Sequence, residues 1–129
     1  MPKIPPFHLA IPVNNLQKSI AFYGGVLGCS EGRKCKYNKW VDYNFYGHQL
    51  VCHFTHADFI PQAYCNPVDG DSVPVPHFGL CLTVDEWKRT RDLLLKANTE
   101  FIIQPHLRFE GQPGEQYTMF FKDPTGNSL

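Results

Sequence analysis

His8 and His77 are the residues whose type and placement could do chemistry. Each heads a run in which large apolar side chains alternate with small or polar ones: "FHLAIPV" over 7–13 and "PHFGLCLTV" over 76–84. A strand points successive side chains to opposite faces. Phe7, Leu9, Ile11 and Val13 therefore share one face, with His8, Ala10 and Pro12 on the other. In the second run Phe78, Leu80, Leu82 and Val84 oppose His77, Gly79, Cys81 and Thr83. The two histidines lie about half the chain apart. Two neutral imidazoles facing one sheltered hollow are a good start for a divalent metal site. The competing role is a core histidine bonded to a backbone carbonyl. Matching strand, face and repeat position favour the metal.

The elements that would position them repeat as well. After Val13, "NNLQKSIAFYGGVLG" offers Asn14 or Asn15 as a helix N-cap, Leu16, Ile20, Tyr23 and Leu27 near helical spacing, and Gly28 as a C-terminal signal. After Val84, "DEWKRTRDLLLKAN" offers Asp85 as cap, Trp87, Leu94 and Leu95 as an apolar stripe, and Asn98 as terminator. Strand candidates follow each helix. In the first half they are "SEGRKCKY", "KWVDYNFYG" and, after a tight turn at Gly47, "HQLVCHF". In the second they are "EFIIQPHLRF", broken at Pro105, and "EQYTMFFKD", followed by the turn signal "DPTG". "NSL" starts one more strand. Each half thus reads β-α-β-β-β, two copies of a small module rather than a solenoid repeat. The expected organisation is a single domain over 1–129, with module 1 over about 1–58, a Pro-, Gly- and Asp-rich loop over about 59–74 that borders a ligand site, and module 2 over about 75–129. The bare faces of the first strands look away from the helices and meet across a cup.

Twelve basic residues balance twelve acidic ones, so no strong field recruits nucleic acid or an anionic membrane. Nothing approaches the ~18 apolar residues of a membrane helix, and the N-terminus does not read as a signal peptide. The cysteines number five, an odd and scattered set without a CxxC pair, which points to a reducing cytoplasm.

The phrases "FHLAIPV…LQKSIAFYGGVLG", "NFYGHQLV", "PHFGLCLTV" and "MFFKDPTGNSL" resemble the vicinal oxygen chelate superfamily, which includes glyoxalase I, fosfomycin- and bleomycin-resistance proteins and extradiol dioxygenases. The resemblance covers nearly the whole chain. It implies an α+β fold, with two βαβββ modules forming a cupped, partly open mixed β-sheet barrel and the helices outside. It implies a metal held by His8 and His77, plus a glutamate on the last strand. That carboxylate is expected just beyond Leu129, in a sequence read as truncated one residue into its final strand. Glyoxalase-like members take a fourth ligand from the strand matching "HQLVCHF", where only Gln49 or His53 could stand in. A dioxygenase-like enzyme acting on a small molecule with vicinal oxygens is therefore the leading expectation, although Phe120 stands near where such enzymes often carry a tyrosine. The alternatives are a glyoxalase-like lyase or isomerase, and a bleomycin-resistance-like protein that sequesters its ligand without catalysis. Fe(II) or Mn(II) is the first choice of ion, with Ni(II) or Zn(II) behind. A homodimer is expected.

Other residues could shape the site. Trp40, Asp42 and Asn44 share a strand face, as do Gln49, Val51 and His53, and these could line a pocket or lie on a solvated edge. Glu115 and Tyr117 are further substrate-binding candidates, with Glu115 read more readily as an exposed loop carboxylate than as a base or distant ligand. Arg33, Lys34 and Lys36 read as a solvated basic edge.

Overall fold

The computed structural model describes residues 3–62 and 64–129. The chain is α+β and divides into two compact units, Met1–Ile60 and Pro61–Leu129.

In the first unit, β1 (His8–Val13) leads into α1 (Leu16–Ile20), followed by β2 (Ser30–Lys34), β3 (Trp40–Phe45) and β4 (His48–Phe54). The sheet order is β1-β4-β3-β2. β1 runs parallel to β4, while β3 is antiparallel to both β4 and β2. Asn15 caps α1, its side chain accepting from the Lys18 N–H. The helix then continues as a π-helix over Ala21–Val26, with the Leu27 N–H reaching Phe22 at 3.0 Å. A Cβ at Gly24 would meet the Tyr43 ring at 3.4 Å, whereas Gly25 has open space beside it. Gly28, at φ 72°, ends the segment, and the Cys29 N–H closes back on the Tyr23 carbonyl. Between β3 and β4, Tyr46 and Gly47 both take positive φ, as a two-residue hairpin turn requires.

The apolar alternation becomes the core of this unit. Val13, Tyr23, Val41, Tyr43, Leu50 and Cys52 are almost completely buried. The Tyr23 ring lies 6.1 Å from Tyr43 and 6.4 Å from Phe45. A buried aliphatic or aromatic side chain is worth about 1.5–3 kcal/mol, so these six positions dominate the stability of the sheet. Burial pushes the Cys29 thiol up to about 11 and raises the Tyr43 phenol as well.

The second unit differs from expectation at its start. The stretch read as a loop carries a hairpin, β5 (Tyr64–Val68) and β6 (Asp71–Val75). Asp69 and Gly70 form its turn with φ 50° and 85°. Asp-Gly is a strong hairpin signal, but the surrounding prolines and polar residues read as loop composition. The hairpin tip is tied to β7 (Phe101–Arg108) by an Arg108–Asp69 ion pair of 2.7 Å.

The predicted strand over 77–84 is not one. Residues 77–83 lie outside any strand, and Val84 begins α2 (Val84–Lys96). A strand needs a neighbour to share its hydrogen bonds. The Phe78 N–H reaches the Ser128 carbonyl at 3.1 Å, and Leu129 beside it pairs with Phe121 through both its N–H and its C=O. At the other end Thr83, not Asp85, caps α2 in a reciprocal capping box with Glu86. The alternation persists without the ladder: Phe78, Leu80 and Leu82 are half-buried, while His77, Gly79, Cys81 and Thr83 are exposed. α2 buries Trp87, Thr90 and Leu94, and Asn98 beyond it takes φ 55°. β7 passes through Pro105 instead of breaking there, absorbing it with register shifts against β8 (Gln116–Phe121).

Candidate functional site

Register decides which side chains share a face. In the first unit His8 pairs with Gln49, which pairs with Asn44; Val51 pairs with Asp42, and His53 with Trp40. His8, Gln49, His53, Trp40, Asp42 and Asn44 therefore all stand on one face of the four-stranded sheet, opposite the face that buries Tyr23. The two strand triplets separated in the sequence reading are one surface, and it carries His8.

That surface is hydrogen-bonded in a chain. The His8 Nδ1 lies 2.8 Å from the Gln49 Oε1, and the Gln49 Nε2 lies 3.5 Å from the Asp42 Oδ2. The Arg33 Nε is 3.5 Å from the same carboxylate oxygen. The chemistry of the groups orders the protons. An ionised Asp42 only accepts, so Gln49 turns its NH2 toward it and its oxygen toward His8. That oxygen only accepts, so His8 Nδ1 donates and Nε2 keeps its in-plane lone pair. Beside the chain, the Arg33 guanidinium sits 5.5 Å from the Trp40 ring centroid, and Trp40 and His53 lie 6.5 Å apart.

A β-bulge aims Arg33. Glu31 pairs with Tyr43 and Lys34 with Val41, so Gly32 and Arg33 together oppose Asp42. Gly32 lets the strands approach closely there: a Cβ would stand 3.3 Å from the Asp42 Cβ, and Asp42 would have to give by a few tenths of an ångström. Arg33 does lie on the solvated edge strand, as its composition suggests; what that reading misses is its contact with Asp42. The glycine inside a strand candidate was the available signal.

In the second unit, the Tyr117 ring stacks 4.9 Å from Trp87 of α2, with the Lys88 ammonium 5.6 Å from its centroid. Phe120, three residues on, faces the other way, and the His77 ring meets it edge to face at 4.9 Å. His77 thus lies on the side of β8 away from α2. Its Nδ1 is 2.6 Å from the Pro74 carbonyl, which only accepts, so Nδ1 donates and Nε2 again keeps the lone pair. Tyr117 is on the helix side. Glu115 lies in the turn before β8 and accepts from the Gly111 N–H at 2.7 Å.

Two imidazoles whose Nδ1–H is committed and whose Nε2 is basic match the way histidine is usually presented to a metal, with an oxygen partner on the second nitrogen. The donor types fit a divalent transition ion. Among the described residues, no three His, Cys, Asp or Glu side chains gather into a ready cation cluster.

A family model for the glyoxalase/bleomycin resistance protein/dioxygenase superfamily matches residues 6–129. The chain belongs to that superfamily. A solved structure described as a glyoxalase/bleomycin resistance protein/dioxygenase from Alicyclobacillus acidocaldarius is 29% identical. It covers 97% of this chain and 87% of its own, with a TM-score of 0.75. The genomically encoded fosfomycin resistance protein FosX from Listeria monocytogenes is 14% identical over 96% of this chain and 86% of its own, at TM-score 0.71. A lactoylglutathione lyase from Agrobacterium tumefaciens is 18% identical over 99% and 92%, at TM-score 0.62. No curated protein matches. At those lower identities the likeness is one of fold, and the superfamily spans several reactions. Among the described residues, no helix is long and apolar enough to cross a membrane, and all five cysteines are free thiols.

Proposed function

We propose that this superfamily member is a metal-dependent enzyme acting on a small molecule with two neighbouring oxygens, with His8 and His77 as ligands of a divalent cation. The observation that carries this reading is the shared state of the two rings. Each commits Nδ1–H to an oxygen that can only accept, at 2.8 Å for His8 and 2.6 Å for His77, and each leaves Nε2 basic. His106 holds its Nδ1 against the Gln104 carbonyl at 2.7 Å in the same way, so what supports the metal reading is this ring state together with the matched, exposed, helix-distal placement of His8 and His77 in their two units. Fe(II) or Mn(II) is the first choice of ion, then Ni(II) or Zn(II). When bound, such an ion supplies Lewis acidity and a template for a bidentate oxygen substrate.

The protein's own residues do the rest. Gln49 and the Pro74 carbonyl orient the two imidazoles, and the edge of Phe120 fixes the His77 ring. Trp40, His53 and Arg33 offer a flat, cationic surface for the body of a substrate. A dioxygenase-like reaction leads, because Gln49, the residue a fourth glyoxalase-type ligand would replace, already holds His8. The expected assembly is a homodimer.

Equilibrium dialysis with Mn(II), Ni(II), Zn(II) and, without oxygen, Fe(II) tests the reading. The wild-type protein is expected to bind a divalent ion. His8→Ala and His77→Ala should each weaken binding by more than the roughly 10–100-fold that losing a supporting partner costs. No uptake by the wild type, or equal uptake by both variants, overturns the assignment. Oxygen consumption with catechols, against turnover of a glutathione hemithioacetal, separates dioxygenase-like from glyoxalase-like chemistry.

A further inference from the structure

We infer that Asp42, acting through Gln49, is a positioning residue that sets the tautomer of His8, and that the bulge at Gly32 and Arg33 holds Asp42 to that task. The inference rests on the reading of His8 as a metal ligand, but its central test does not need the metal.

The argument begins with an ambiguity. A glutamine beside a histidine can present either end of its amide. Its oxygen would fix the Nδ1–H tautomer; its NH2 would fix the opposite one, with Nε2 protonated and useless to a cation. Something must choose. Asp42 does so, because a carboxylate cannot donate and therefore draws the NH2 end. The placement is built in. Asp42 sits diagonally from Gln49 across the β3–β4 ladder, within reach of a long side chain. Its side chain is only 10% exposed, so it has little water to turn to. Two residues oppose it on β2, one without a side chain and one cationic. Gly32 lets the strand close on the Asp42 Cβ, and the Arg33 Nε meets the Oδ2 that faces Gln49. Arg33 is itself 81% exposed, so its ion pair is screened and serves mainly to orient. Asp42 and Gln49 are then not principally substrate contacts.

The discriminating variant is Asp42→Asn, which keeps the shape but can donate as well as accept. The Gln49 amide is then free to reverse. Long-range nitrogen–proton NMR spectra of the metal-free, full-length protein at pH 8 read the His8 tautomer directly. The wild type should show Nδ1–H. Asp42→Asn should shift His8 toward Nε2–H and weaken Mn(II) or Ni(II) binding by about tenfold or more. Adding Gln49→Glu to Asp42→Asn should restore both readouts, because the introduced carboxylate accepts from Nδ1–H without help. A purely structural role for Asp42 would lower stability and leave the tautomer alone. Should Asp42→Asn fail to fold, Gln49→Met at an exposed position removes the acceptor and should abolish the preference for Nδ1–H. Unchanged tautomers in either variant overturn the inference. Unchanged metal binding in His8→Ala would instead remove the metal reading, with the tautomer experiment still deciding the role of Asp42.

Discussion

The two units present the same imidazole state by different means. In the first, His8 lies on a strand paired along its whole length with β4, and its Nδ1 partner is a side-chain amide that needs Asp42 to orient it. In the second, His77 lies on a segment outside any strand whose Phe78 N–H reaches Ser128, and its Nδ1 partner is the backbone carbonyl of Pro74. A regular sheet fixes where a side chain stands but not how its proton is placed, so the first unit adds a side-chain relay. An irregular segment can bring a main-chain carbonyl beside the ring, and a carbonyl has one polarity. Substitution can therefore reset His8, whereas His77 is set by the fold of its own loop.

The largest expected contrast is in backbone protection. The alternate β1 amides of Leu9, Ile11 and Val13 and the β4 amides over 49–54 bond across the ladders and open only with the sheet. Amides over 79–82 lie outside every strand of the described residues. Hydrogen exchange should be slower in β1 and β4 by at least roughly three orders of magnitude, since local openings span from near zero to the full unfolding free energy. Comparable protection over 79–82 would show that this segment is a paired strand after all and collapse the contrast.

A smaller effect sharpens it. Ile11 and Leu80 hold equivalent places, each three residues past its histidine. Ile11 is 6% exposed inside the first core, whereas Leu80 is only half-buried. Ile11→Ala should cost about 3 kcal/mol, within the range for a core truncation. Leu80→Ala should cost about 1 kcal/mol, the share of its apolar surface removed from water. Urea unfolding of the two variants measures this, and equal losses would mean that both segments pack alike.

The same contrast explains what could be read from sequence. Period-two alternation in "FHLAIPV", "KWVDYNF" and "HQLVCHF" located β1, β3 and β4 because each has a partner strand. "PHFGLCLTV" alternates just as well, and its exposure pattern follows the alternation, yet pairing is non-local and no local pattern guarantees it. The face shared by His8, Gln49, Asp42 and Trp40 was legible only strand by strand; joining the strands required the register. Arg33 was hidden because a bulge, not simple parity, aims it. The hairpin at Asp69 and Gly70 was hidden behind prolines tolerated in a two-stranded ribbon. The π-helix at Ala21–Val26 left no periodic trace.

The cores differ chemically too, and alkaline pH should separate them. The first unit buries the Cys29 thiol and the Tyr43 phenol, whose hydroxyl has no hydrogen-bond partner. The buried set of the second, including Trp87, Leu94, Ile103 and Phe121, contains neither group among the described residues. Burial pushes Cys29 from an ordinary 9.0 to about 11. Below pH 9 the thiol is protonated whether the chain is folded or not, so stability there is untouched. Above it the unfolded chain releases the proton first, and stability falls until the folded thiol ionises as well. Tyr43 is raised by burial, and further by Glu31, so it acts in the same direction at higher pH. Ionisation of the thiol alone removes at most about 3 kcal/mol of stability across this window, less once solvent screening is allowed for. Methyl NMR signals of Val13 and Leu50 should therefore weaken at a lower pH than those of Leu94, and Cys29→Ala should move that onset upward. Simultaneous loss of both sets, unmoved by the substitution, would mean that these buried acids do not distinguish the two cores.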